Sequence, residues 1–196
     1  MTKLHTSENL TIEADEFEKV LKDMETHSIS TIKGETTSPI PRYISVYLVQ
    51  PEIPQAIPND FQDNLKSSYQ QDVLSWNDTR QNELTMVTDQ KLNNNISDSD
   101  WTQTLKTMEE TDIANATARI QNSYAQIREQ GNKNPEQRSS LIKFAQTLSN
   151  FQSTILNYMV DFMRTIALKI FEWASKAFTF IKNAANSVVN FVKSWF

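Results

Sequence analysis

Apolar positions along this chain fall into periodic runs separated by polar or Pro-rich breaks. From Thr11 to about Thr26, Phe17, Val20, Leu21 and Met24 recur at helical spacing. The other side of that stretch carries Glu13, Asp15, Glu16, Glu18, Asp23 and Glu25. This predicts a short acidic helix, followed by a Ser/Thr-rich loop over 26–38. The run Tyr43-Ile44-Ser45-Val46-Tyr47-Leu48-Val49 is rich in β-branched and aromatic residues and reads as one isolated strand-like segment. Pro39, Pro41, Pro51, Pro54 and Pro58 flank it. A single strand has no partner in the chain, so it either lies extended across helices or adds to a sheet edge in another molecule.

Beyond Pro58 the period becomes helical. Phe61, Leu65, Tyr69, Val73, Trp76, Leu84 and Val87 predict a helix over about 60–91, with Asn59 as its cap. Asn93-Asn94-Asn95 interrupts it. Ser97 or Ser99 then caps a helix with Trp101, Leu105, Met108, Ile113, Ala116, Ile120 and Ile127 on its apolar side, and Gly131 is expected to end it. The run Asn134-Pro135-Glu136-Gln137 starts the next helix, with Asn as cap and Pro in the first turn.

After Pro135 the chain has neither Gly nor Pro, and eight of its ten Phe residues lie at or beyond Phe144. Polar residues there keep to one line: Asn150, Thr154, Asn157, Asp161, Thr165, Lys169, Glu172, Lys176, Thr179, Asn183, Asn186, Asn190 and Lys193. The steps are three or four residues, as one face of a helix requires. Asn150, Asp161, Glu172, Asn183 and Ser194 are spaced by eleven. An eleven-residue repeat keeps the stripe nearly straight, unlike the heptads of a left-handed coiled coil. It suits a helix on a flat surface or inside a larger assembly. It also suits a core helix with one wetted edge.

The expected fold is all-α: an antiparallel bundle of long helices with an extended, strongly amphipathic C-terminal helix. Residues 1–58 form an acidic helix and a Pro-rich segment, 59–134 a helical hairpin, and 135–196 the long final helix. At about 1.5 Å per residue the middle helices are each roughly 50 Å long and the last roughly 90 Å. The final helix therefore either folds back, near Asn150 or Asn183–Asn186, or leaves a long apolar face uncovered, and an uncovered face marks an interaction surface.

Composition sharpens this. The chain has two Gly and no Cys in 196 residues. That leaves no disulfide, no thiolate site and no glycine-rich phosphate loop. The net charge of −5 is unevenly spread. Residues 1–140 hold 13 Lys and Arg against 22 Asp and Glu, whereas 141–196 hold 6 against 2. The basic last third favours anionic headgroups. The first six residues have no apolar run, so a cleaved signal peptide is not expected. The stretch 155–171 contains Asp161, Arg164 and Lys169, which argues against a conventional spanning helix.

No catalytic signature emerges. His5 and His27, the two histidines, have no triad-like neighbours in sequence. Asp15/Glu18 and Glu109/Asp112 share helix faces but read as solvated acids. No cofactor, metal, nucleic acid or small-molecule substrate is expected. The functional expectation is a non-enzymatic, membrane-active helical protein, secreted without a cleaved signal or membrane-associated, with the cytoplasm left open. Its final helix would enter a membrane surface or a membrane-acting oligomer of pore-forming, translocation or penetration type. Phe171, Trp173, Phe178, Phe180, Ile181, Phe191, Trp195 and Phe196 would insert, with Lys169, Lys176, Lys182 and Lys193 at the headgroups. In the alternative, an assembly or adaptor protein of a secretion apparatus or virion uses the same apolar face to bind a protein partner or a copy of itself.

Overall fold

The computed structural model describes residues 12–36, 40–49, 57–169 and 177–195. Among these every regular element is a helix, with no strand. The helices are α1 (Ala14–Ile32), α2 (Arg42–Val49), α3 (Asn59–Leu92), α4 (Asp98–Lys133), a 3-10 turn at Pro135–Gln137, α5 (Arg138–Lys169) and α6 (Ala177–Trp195). They group into two compact units. One comprises Met1–Pro58 with Ile120–Asn150, the other Asn59–Arg119 with Phe151–Phe196. This grouping differs from a division into three consecutive segments, because α4 and α5 each contribute to both units.

In the first unit α1 runs six residues past the expected end at Thr26. Its buried face continues from Phe17, Val20, Leu21 and Met24 to Ser28 and Ile32. Ser28 and Thr31 donate their hydroxyls to the carbonyls of Met24 and His27 one turn back, which satisfies both side chains within the helix. The strand-like segment at 43–49 is a correction: it is the helix α2. Its β-branched residues fit a helix because Ile44 is fully buried while Tyr43 lies outside, hydrogen-bonded to Asp23 with Lys19 over its ring. Burial on one face outweighs strand propensity.

Gly131 is a second correction. It lies inside α4, which continues to Lys133. A side chain there would meet the Phe17 ring at 2.4 Å, so glycine lets α1 approach the helix. Arg138 stacks over the same ring and donates to the carbonyls of Gly131 and Ile12. Arg128 pairs with Glu18 at 3.2 Å and Glu25 at 2.5 Å. The acidic side of α1 is thus partly neutralised by α4.

In the second unit, α3 and the first part of α4 form an antiparallel hairpin. Ser97 caps α4 by accepting from Asp100 N–H at 3.0 Å. Leu84, Val87, Trp101, Leu105, Met108 and Ile181 make one apolar cluster. Tyr69, Val73, Trp76, Phe151, Ile155, Val188 and Val192 make another. Asp112, expected to be solvated, is fully buried. It accepts from Trp76 Nε1 at 2.7 Å and from Arg80 Nε at 3.1 Å and Nη2 at 2.5 Å.

The final helix is not one rod. α5 ends at Lys169 and α6 returns beside it, with Phe191 stacked on Phe151 and tilted against Tyr158. Neither expected folding-back point is a break: Asn150 lies within α5, and Asn183 and Asn186 lie within α6. Residues 170–176 fall outside the described set.

Candidate interaction surface

The surface is built by α6 and the C-terminal part of α5. α6 has its apolar residues at Ile181, Ala185, Val188 and Val192, spaced i, i+4, i+7 and i+11, and all four are buried. The helix runs antiparallel to α3. Ile181 lies with Leu84 and Val87, Asn77 Nδ2 donates to the Ala185 carbonyl at 3.4 Å, and Val188 and Val192 meet Tyr69, Val73 and Trp76. The polar line Thr179, Asn183, Asn186, Asn190 and Lys193 is exposed along its whole length. On α5 the same line is exposed at Asn150 and Asn157 and half-buried at Thr154 and Thr165. Over these residues the stripe is the wetted edge of a packed helix.

The residues expected to insert are therefore not equivalent. Ile181 is committed to the core. Phe180 is half-buried against the Ile181 cluster, and Phe191 half-buried against the Val188 cluster. Phe178 is exposed at 37%. Trp195 is the last residue of α6, and its side chain is outside the described set, as are Phe171, Trp173 and Phe196. Of the lysines, Lys182 and Lys193 are exposed on α6. Lys169 ends α5 with its side chain undescribed, and Lys176 is not described.

Sequence reasoning passed over Tyr158, which is 53% exposed on α5. Its signal was only that it borders Asn157 on the polar line. Among the described residues, four large apolar side chains are exposed: Tyr43, Met86, Tyr158 and Phe178. Tyr43 is occupied by Asp23 and Lys19. Tyr158 stands on α5 and Phe178 on α6, and the sequence from 159 to 177 holds Met159, Val160, Phe162, Met163, Ile166, Phe171 and Trp173 together with Asp161, Arg164, Lys169, Glu172 and Lys176.

Other features offer less. An open groove of about 340 Å³ beside Arg80, Gln103, Thr104 and Thr107 has its one cation answered by Asp112 and Glu83. Among the described residues no three His, Asp or Glu side chains gather as a metal site would need, and no helix is long and apolar enough to cross a membrane. No family model, curated protein or solved structure matches this chain.

Proposed function

We propose that this is a non-enzymatic, membrane-acting helical protein whose α5–α6 hairpin meets an anionic membrane surface. One observation carries the reading: Tyr158 and Phe178 are exposed on both arms of the hairpin. Leaving these two aromatic side chains partly exposed forgoes a fraction of the about 1.5–3 kcal/mol that full burial of a Phe-sized group contributes. Aromatic rings beside lysines suit the boundary between headgroups and acyl chains. Lys182 and Lys193 supply positive charge on the outer side of α6, and no acidic residue lies between 177 and 195.

The test is flotation with vesicles of neutral phosphatidylcholine and of phosphatidylcholine mixed with phosphatidylglycerol. Unmodified protein should float with the anionic vesicles and less with the neutral ones. A variant with Tyr158→Asp and Phe178→Asp should lose at least tenfold in binding while keeping its helical circular dichroism, because both side chains lie outside the core. Removing everything after Asn150 is a poor test, since Phe151, Ile155, Val188 and Val192 form one cluster with α3. If the protein floats with neither vesicle, the membrane reading fails. The hairpin then belongs to a protein partner or a second copy, which sedimentation would reveal.

A further inference from the structure

The long helices of this protein are held in place by different chemistry. In its own unit, α1 is pinned by charged and polar contacts: Arg128 to Glu18 and Glu25, Asn132 to Glu18 at 3.2 Å, and Arg138 to the Ile12 carbonyl at 2.8 Å. In the other unit α3 and α4 are joined by the buried Arg80–Asp112–Trp76 contacts and by Lys91 with Asp98. Among the described residues no ion pair ties α6 to a neighbour. A side-chain hydrogen bond from Asn77 to the Ala185 carbonyl links it to α3 at 3.4 Å, at the long end of the range. Its attachment is the apolar seat of Ile181, Ala185, Val188 and Val192.

A bilayer can replace an apolar seat, because hydrocarbon buries the same surface. It cannot replace a buried Arg–Asp pair. α6 is also composed for that exchange: the four buried residues share one face, and the other carries Lys182, Lys193, Asn183, Asn186 and Asn190. The core beneath α6 holds polar atoms that water would satisfy. Trp101 Nε1, in the cluster with Ile181, and Thr88 Oγ1, next to Val87 on α3, are buried with no hydrogen-bond partner among the described residues. Buried polar atoms without a partner destabilise the arrangement that buries them.

We propose that α6 is an exchangeable helix, which leaves its seat on α3 and lies with the same apolar face in the surface of an anionic phospholipid bilayer. This rests on the membrane reading above and adds which element moves. In water the exchange runs uphill, since Leu84, Val87 and Val73 would be left wet, so the closed form dominates until a bilayer is present.

The absence of cysteine from the chain makes a locked form accessible. Asn77→Cys with Ala185→Cys places a disulfide where the Asn77 amide already reaches the α6 backbone. With phosphatidylcholine–phosphatidylglycerol vesicles, the reduced form should bind and the oxidised form should bind at least tenfold less, recovering on reduction. Equal binding by both forms overturns the exchange while leaving the membrane reading intact. Binding by neither form, when the unmodified protein also fails to bind, overturns both. Hydrogen exchange of the unmodified protein without lipid provides a readout that needs no variant. Amides of α6 should exchange at least tenfold faster than those at the centres of α3 and α4. Exchange of all three helices in step would show that α6 does not open by itself.

Discussion

Gly131 shows how a single side chain decides a helix contact. Interior glycine costs a helix about 1 kcal/mol relative to alanine. Here a methyl group would meet the ring of Phe17, which is fully buried, at 2.4 Å. Gly131→Ala should therefore destabilise, by up to about 2 kcal/mol once overpacking of about 1–3 kcal/mol is set against the helix gain of about 1 kcal/mol. Urea unfolding checks this, and shortening the ring with Phe17→Leu in the same chain should recover part of the loss. Asp112 is a sharper case. Removing it with Asp112→Ala leaves the Arg80 guanidinium buried and short of its main partner, a loss of about 3–5 kcal/mol. A shift in urea midpoint smaller than that of an exposed substitution would contradict the buried pair. Two tyrosines predict the alkaline limit. Burial raises the phenols of Tyr69 and Tyr124 above the usual value, only partly opposed by Arg119 at Tyr69 and by hydrogen bonds from Ser149 and Ser28 at Tyr124. The unfolded chain then releases these protons first, near pH 10, while the folded chain holds them. Stability is complete below about pH 10 and falls as the pH rises above it. Thermal melts from pH 9 to 11 should show the decline. Absorbance at 295 nm should show these two of the five tyrosines ionising late.

Elements were legible in the sequence where periodicity was long. α3, α4 and the start of α5 lie within a few residues of their expected bounds, because caps at Ser97 and around Pro135 accompany runs of apolar residues at helical spacing. The polar line after Asn150 also identified the wetted side of α6. Short elements were not legible. Residues 43–49 carry strand-forming side chains, and only burial of Ile44 reveals that they coil. Gly131 looked like a terminator because its reason, the Phe17 ring, lies far away in sequence. Asp112 looked solvated because its partners, Trp76 and Arg80, sit on another helix. The two faces of α6 should now respond oppositely to substitution. Ile181→Ala empties part of a buried cluster and should cost about 2–5 kcal/mol. Asn186→Lys, on the exposed line, should stay within about 0.5 kcal/mol of the unmodified protein. Urea midpoints of the pair decide whether α6 is seated as described. Similar losses at both positions would contradict the orientation of the helix.

For the whole molecule, the uneven charge matters more than its total. The chain is acidic overall, yet residues 141–196 carry six basic residues against two acidic ones. Binding to anionic vesicles should therefore weaken as salt rises, since exposed charges are screened beyond about 8 Å at physiological ionic strength. Binding unaffected by salt would place the attraction in apolar contact alone. The apolar character of the chain after Pro135 was legible in the sequence, and the structure adds that Tyr158 and Phe178 are exposed on α5 and α6. A chain without cysteine allows one label at a chosen site. The decisive measurement is the fluorescence of an environment-sensitive dye on Phe178→Cys, compared with the same dye on Thr102→Cys at an exposed position of α4. On adding anionic vesicles, the dye at 178 should shift to the blue and brighten, while the dye at 102 stays unchanged. No change at 178, with the protein still folded by circular dichroism, would show that the hairpin does not enter a membrane surface.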